Sequence, residues 1–415
     1  MYYDIIIIGS GISGLYSAYY IQKLSPTTKF LILEQYKKEW IGGRTSNEIF
    51  YGAEIVTGAG IGRLKKDKLL YQLLKNLDIA THEFTIQPNY SKLINVNNVS
   101  NVNKTFSFLK KEYEKYKRKP NVTFSQFAKA KLGEKEYKEF LISVGYTDYE
   151  NEDVYETLYH YGMEDNDTPL EAFHVSWKEM ISTLAEKIGY EHFKFSSNII
   201  QLSKISNNPC KFLLETDKGV KYYCNKVIIA TTISSIHKLF PKNTIYNNIV
   251  GQPFLRLYGK FTKKSVSILK NYVKGYTILP GPLQKIIPID PIDKGVYMIS
   301  YSDNNNAIAL KDHLQNTELN RELYCRILEQ SLDIPNNSLH LISIKSFYWP
   351  IGTHYYKPLE RKIYESREEF IYKAQHPENG VLVVGEVVAR NHGWTEGALE
   401  SVEMVLNKKW IKTEC

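Results

Sequence analysis

The chain predicts an α/β fold, and three stretches carry that reading. The run Ile5 to Ile8 in "YYDIIIIGSGISG" is apolar at consecutive positions, as a strand buried on both faces of a parallel sheet must be. It passes through Gly9, Gly11 and Gly14 into the periodic "LYSAYYIQKL", and a second apolar run, "KFLILEQ", follows: strand, glycine turn, helix, strand. Far along the chain, "VIIA" at 227–230 and "GVLVVG" at 380–385 read as further buried strands.

The 415 residues exceed what one hydrophobic core normally supports, so two domains or one large composite are expected. With 43% hydrophobic and 24% charged residues, the chain belongs with globular rather than disordered sequences. Its net charge of +8 is a slight excess, weak support for an anionic partner. The most basic stretch, "LKKEYEKYKRKP" at 109–120, sets lysines beside Tyr113 and Tyr116, but Glu112 and Glu114 break the run. That pattern is a solvated helix face, and no nucleic-acid partner is expected.

The remaining elements follow in order. Residues 105 to about 192 read as helices, "FSFLKKEYEKYKRK", "FSQFAKAKLG", "EKEYKEFLISVGY" and "SWKEMISTLAEKIG", separated by Pro120, Gly133 and "DNDTP". Residues 198–232 alternate as hairpins do; 253–301 mix short strands with Pro and Gly turns; 317–332 form a helix. "NHGWTEGALESV" at 391–402 reads as a late helix with Gly393 and Trp394 in its first turn.

Cys210, Cys224, Cys325 and Cys415 form no CxxC pair and no metal-ligand spacing, and the chain starts directly in a strand without a signal peptide. A reducing, cytoplasmic location is expected. No stretch approaches the roughly 20 apolar residues of a membrane span. His160, His174 and His237 are scattered, and no metal site is expected.

The chemistry begins at the first turn. Gly9, Gly11 and Gly14 match G-x-G-x-x-G after a strand and at a helix start, where bare backbone lets a pyrophosphate approach the helix N-terminus. Glu34 closes the second strand 20 residues after Gly14, the spacing at which a carboxylate accepts hydrogen bonds from a ribose. Gly42, Gly43 and Arg44 in "IGGRTSN" add two flexible residues and a guanidinium suited to phosphate oxygens. Together they point to a dinucleotide; the bland alternative is an ordinary strand-to-helix turn.

"DIIIIGSGISGL" with Glu34, "GGRT", "GAEIVTGAGIGR", "VIIAT", and "GVLVVGE" with "HGWTEGALES" form a set that resembles, in the same order, the flavin-dependent amine oxidase family of monoamine, polyamine and L-amino acid oxidases. The resemblance implies a Rossmann-like, discontinuous FAD-binding domain from residues 1–82, 190–250 and 370–415, with a substrate domain made of a helical part, 83–189, and a mixed sheet, 251–369. It implies FAD in an extended pose against Gly9, Gly11, Ile12, Ser13, Gly14, Glu34, Gly42, Gly43, Arg44, Gly60, Ile61, Ile199, Glu386, Trp394, Thr395 and Ala398. Glu386 would contact the ribityl and pyrophosphate region, and the Gly393–Ala398 turn would offer backbone N–H groups to the flavin pyrimidine carbonyls, with Gly397 allowing close approach. Covalently flavinylated relatives attach FAD between the positions of Cys325 and Cys415, where this chain has no cysteine, so binding is expected to be non-covalent.

By the same resemblance, Trp394 supplies one aromatic wall beside the substrate nitrogen, and "FYWPIGTHYYKP" at 347–358 supplies the other from among His354, Tyr355 and Tyr356, with Trp349 packing beneath. Many members hold a water with a lysine; here "PFLRLYGKF" offers Arg256, able to anchor water but a poor proton acceptor, with Lys260 as the fallback in another register. Arg256 as a surface strand residue is the alternative. Arg63 resembles the arginine that L-amino acid oxidases set against the substrate carboxylate; contact with FAD or pairing with Asp67 is the other reading. No acidic cluster suggests a polyamine channel.

The implied reaction oxidises the C–N bond of a small amine or amino acid to an imine and reduces oxygen to hydrogen peroxide. Amine and oxygen would be the partners, with no nucleic acid or membrane, and a homodimer is admitted. C–C oxidation of the desaturase type, or a flavin-binding structural protein without oxidase activity, are the alternatives.

Overall fold

The computed structural model describes residues 2–94, 101–161, 170–205, 211–360 and 363–412. The "DNDTP" break and two of the cysteines, Cys210 and Cys415, lie outside the described residues.

The first sheet is built on β1 (Tyr2–Ile8), which passes through the glycine turn into α1 (Ile12–Leu24) and returns as β2 (Phe30–Leu33). β1 lies between β2 and the strand Lys221–Ile229, parallel to both, and Phe193–Lys194 extends the sheet beyond β2. Lys221–Ile229 is shared along its length: its first half pairs with the antiparallel hairpin of Ile199–Lys204 and Phe212–Thr216, its second half with the parallel Val381–Val383.

The unbroken apolar run of β1 is explained by what covers it. Ile5 and Ile7 pack into a core with α1 and the helices Trp177–Ile188 and Thr395–Val405, while Ile6 and Ile8 pack into a second core with Ile233–Leu239 and Arg367–Gln375.

The second sheet runs Leu341–Tyr356, Ile249–Phe261, Val296–Asp303, Lys285–Asp290, Thr277–Ile278 and Asn89–Tyr90. Where short strands were expected, Ile249–Phe261 continues for 13 residues. Pro253 does not end it, because the register with Leu341–Tyr356 shifts between Gln252 and Phe254 and a residue in such a bulge needs no ladder N–H.

The helices Val102–Glu114, Phe124–Leu132, Glu134–Val144 and Val154–Tyr159 share a separate core that contains Phe124, Tyr137 and Phe140. The basic stretch is the solvated face expected: Lys115 and Lys131 pair with Glu112, Lys119 pairs with Glu114, and Tyr113 turns inward. The helical expectation fails at Leu170–Phe173, a strand between Glu83–Ile86 and Gly62–Arg63; "LEAF" is too short to show a period. No helix among the described residues is long and apolar enough to cross a membrane.

Candidate active site

A single cavity of about 1540 Å³ runs along the C-terminal ends of the parallel strands and under the second sheet. Gly9, Gly11, Arg44, Glu386, Tyr355 and Trp394 all line it, although they span almost the whole sequence.

The three motif glycines have three different physical reasons. Gly9 has φ +101°, and a Cβ there would lie 2.4 Å from the Ala230 carbonyl oxygen. Gly14 does not line the cavity; a Cβ would stand 2.1 Å from the Gly9 carbonyl oxygen, so this residue lets α1 pack on the turn rather than touching a ligand. Gly11 faces open space with no protein atom within 4 Å of its missing Cβ. Ile12 and Ser13 follow at the open end of α1 and line the cavity with it.

Glu34 is buried at the end of β2 and bonded back to the turn: Ser10 N and Oγ each donate to Oε2 at 2.8 Å, and Tyr36 N donates to Oε1 at 2.9 Å. Ile199 lines the wall beside it. Gly42 N donates to the Ser10 carbonyl at 3.0 Å with φ +86°, and Gly43, φ +57°, is open like Gly11.

Further along the cavity, Glu386 is the organising anion. Arg44 donates to Oε1 at 2.8 Å, His354 Nδ1 to Oε1 at 2.5 Å, and Gly393 N to Oε2 at 3.1 Å. Ile233 N donates to His354 Nε2 at 3.2 Å, which fixes the tautomer with the proton on Nδ1. Burial opposes ionisation of Glu386, but His354 and Arg44 outweigh it and hold the carboxyl well below the usual range. Arg44 also donates to the Gly352 carbonyl at 2.6 Å, tying the first sheet to the second.

The late helix starts later than expected, with Gly393 and Trp394 outside its first turn. Thr395 is its first helical residue; Trp394 is an extended cap and Gly393 a left-handed residue with φ +78°. Thr395 and Ala398 line the cavity. Gly397 is not there for a ligand: a Cβ would stand 1.8 Å from the Asn391 carbonyl oxygen, so the close approach is to the protein's own backbone. Trp394 Nε1 donates to Asp67 Oδ2 at 2.8 Å, and the Arg63 guanidinium lies 5.1 Å from the indole. Arg63 lines the cavity beside Trp394 and is bonded to Asp67 through Nε and Nη2.

Of the three candidate walls from 354–356, Tyr355 and His354 line the cavity and Tyr356 does not: His354 is buried and bonded to Glu386, and Tyr356 is fully buried and donates to the Ala389 carbonyl at 2.7 Å, so it is a core residue. Trp349 lines the cavity and donates to the Thr57 carbonyl at 2.8 Å. Arg256 is not a surface residue. It is buried in the wall, donates through Nε to the Gly58 carbonyl at 2.6 Å and lies 4.1 Å from the Tyr301 ring, beside Gly60, where a Cβ would approach its Nη2 to 3.0 Å. Ile61 continues that wall. Lys260 points instead to the Lys294 carbonyl at the far end of its strand, away from the cavity.

Sequence reading missed an acidic side of the cavity. Asp148, Glu152 and Asp303 all line it, brought together from the end of the helical unit and from the second sheet. Glu152 holds His392, the neighbour of Gly393, in a buried ion pair. Among the described residues no group of His, Cys, Asp and Glu suits a metal. Cys224 and Cys325 are buried in hydrophobic cores.

No family model matches the chain, and no curated protein matches it either. Solved structures do, and they define first a fold shared over nearly the entire length. The particular neighbours are putrescine oxidases: a double mutant from a structure-based redesign of cofactor binding, with TM-score 0.75 and 14% identity over 97% of this chain and 98% of that one; a triple mutant from the same redesign, 0.74 and 13%, over 97% of both; and the wild type bound to putrescine, 0.74 and 12%, over 97% and 98%. At these identities the shared property is the fold, and this chain folds as putrescine oxidase does.

Proposed function

We propose that the protein is an FAD-dependent amine oxidase, binding the cofactor non-covalently and oxidising the C–N bond of a small amine to an imine. One observation carries the reading: the open turn at Gly11 and the aromatic pair Trp394 and Tyr355 belong to one cavity. At about 1540 Å³ it exceeds the roughly 300–1,000 Å³ of an ordinary small-molecule pocket and suits an extended dinucleotide plus substrate.

The residues fit the cofactor. The β1–α1–β2 unit makes a Rossmann-like cradle, with bare backbone at Gly11 and Gly43 for the pyrophosphate and lone pairs of Glu34 at the ribose end. Glu386, paired with Arg44 and hydrogen-bonded by His354, holds the Gly393 N–H and so fixes the loop that presents Trp394. Held by these residues, FAD would supply the hydride acceptor and the route of electrons to oxygen that yields hydrogen peroxide. Trp394 and Tyr355 orient the substrate amine and exclude water from it. Trp394 can do so because Asp67 and Arg63 fix its indole. Arg256 is spread over a carbonyl and an aromatic face, so it holds a water in place without accepting a proton. The imine is released to hydrolysis in water.

Neutral or basic amines are favoured over amino acids, because Arg63 is committed to Asp67. The purified protein should be yellow, and an amine from a panel should bleach it anaerobically. Trp394→Ala should keep the flavin and lower kcat/KM by about 100-fold, the scale on which misorientation acts. Flavin retention with no amine bleaching the wild type would overturn the oxidase reading; failure to take up FAD would overturn the cofactor as well.

A further inference from the structure

Beside Arg256 the cavity wall carries an aromatic and acidic corner, with Lys285 buried behind the lining residues. The rings of Tyr146 and Tyr301 meet nearly at right angles, 84°, with centroids 5.5 Å apart. Asp148 and Asp303 line the same corner. Both carboxylates are fixed in place: Tyr161 donates to Asp148 at 2.5 Å, Thr147 Oγ1 to Asp303 at 2.6 Å and Gln284 Nε2 to Asp303 at 3.2 Å. Two ring faces with carboxylates beside them form a receptor for an alkylammonium group.

The corner is already filled by the chain itself. Lys285 Nζ lies 3.2 Å from the Tyr146 centroid and 4.1 Å from that of Tyr301, is completely buried, and has no hydrogen-bond partner among the described residues. A tight turn delivers it there: Gln284 has φ +54° and Lys285 N donates to the Leu283 carbonyl. The stem passes Gly145, where a Cβ would lie 3.4 Å from Lys285 Cε. A buried amine without a hydrogen bond costs stability, so its retention calls for a reason.

We propose that Lys285 occupies, from within the protein, the distal cation site of the cavity and so makes the enzyme discriminate against substrates with a second ammonium group. The inference rests on the amine-oxidising reading and names its substrate class: monoamines rather than diamines. Burial, with Arg256 adding to it, pushes the Lys285 amine down to about 7 against the pull of Asp303 and Asp148. Charged or neutral, the side chain takes up the volume between the rings.

The test compares 1,4-diaminobutane with butylamine on the FAD-loaded protein, with binding read by anaerobic calorimetry and bleaching of the flavin recorded separately. Wild type should bind the diamine no more tightly than the monoamine. Lys285→Ala empties the corner and should tighten diaminobutane by about tenfold or more, the size of a desolvated cation–π contact, with butylamine nearly unchanged. Adding Asp148→Asn to that variant should remove the gain. Wild type that already binds the diamine tenfold tighter, or a Lys285→Ala variant that moves both ligands equally, overturns the proposal. Asp148→Asn alone guards against a Lys285 variant that fails to fold: selective loss of diamine binding there means that the diamine already uses the corner, which also overturns it. If the calorimetric pattern holds and no amine bleaches the flavin, the oxidase reading falls and the cation site stands. Bleaching by butylamine with an unmoved Lys285→Ala ratio overturns this inference alone.

Discussion

Two glycines a turn apart show how differently single residues can matter. Gly393 has φ +78° and open space around its missing Cβ, so Gly393→Ala meets only backbone strain, about 1 kcal/mol. Gly397 has an ordinary helical backbone but would press a methyl to 1.8 Å from the Asn391 carbonyl oxygen. Gly397→Ala should therefore lower the chemical-denaturation midpoint more than Gly393→Ala does. The reverse order would mean that the 391–397 turn is not held as described. Glu386 acts in the opposite sense, by attraction. It accepts from three donors, and Glu386→Gln leaves Arg44 without its anion, a change that costs about 3 kcal/mol when such pairs are buried. Its folded pKa lies below the unfolded value, so its contribution is present above about pH 4.5 and is lost as pH falls; the variant should show a flatter acid limb in urea titrations.

At the scale of elements, the helical unit is tied to the loop that carries Trp394 by buried charge. Glu152 pairs with His392, and Arg367 of the helix Arg367–Gln375 pairs with Asp153 and Glu156. Burial disfavours the charged His392, but Glu152 overcomes it and raises the imidazole to about 8. Burial also raises Glu156, to about 7, against Arg367 and His392. Both folded values exceed the unfolded ones, so both contributions are complete at low pH and are lost as pH rises, Glu156 from about 4.5 to 7 and His392 from about 6.5 to 8. The His392 part is on the order of 2 kcal/mol. Protection factors in Val154–Tyr159 and residues 391–394, with the intrinsic pH dependence of amide exchange divided out, should therefore fall from pH 6.5 to 8 in wild type and fall less in His392→Gln; equal changes in both proteins would remove the pair from this role. This linkage was illegible in the sequence, where Glu152 and His392 stand 240 residues apart. So was the acidic wall of Asp148 and Asp303. What could be read were features with a local pattern: the glycine turn after β1, the unbroken apolar run of β1, and the spacing from Gly14 to Glu34. Gly397 was recognised as a close-approach glycine but given the wrong neighbour, because the Asn391 carbonyl reaches it only through the left-handed turn at Gly393. Tyr355 and Tyr356 could not be separated, since strand alternation says that they face opposite ways and not which way is in.

For the whole molecule, the two sheets and the helical unit enclose one cavity, and its two ends should be separable by mutation. Gly11 is the position that allows this. Its backbone, φ −68° and ψ 174°, is one that any residue adopts, and its Cβ would meet no protein atom. Gly11→Val should therefore leave the apoprotein as stable as wild type, while its side chain occupies the space proposed for the pyrophosphate. In wild type, FAD at 100 times its dissociation constant should add about 2.7 kcal/mol of stability, visible as a rise in Tm. Gly11→Val should lose that rise, whereas Trp394→Ala, altered only at the far end, should keep it and lose turnover. Differential scanning of the three apoproteins with and without FAD decides the matter. A Gly11→Val protein stabilised by FAD as strongly as wild type would place the pyrophosphate elsewhere; one already destabilised without FAD would show that the open space at the turn serves the fold itself.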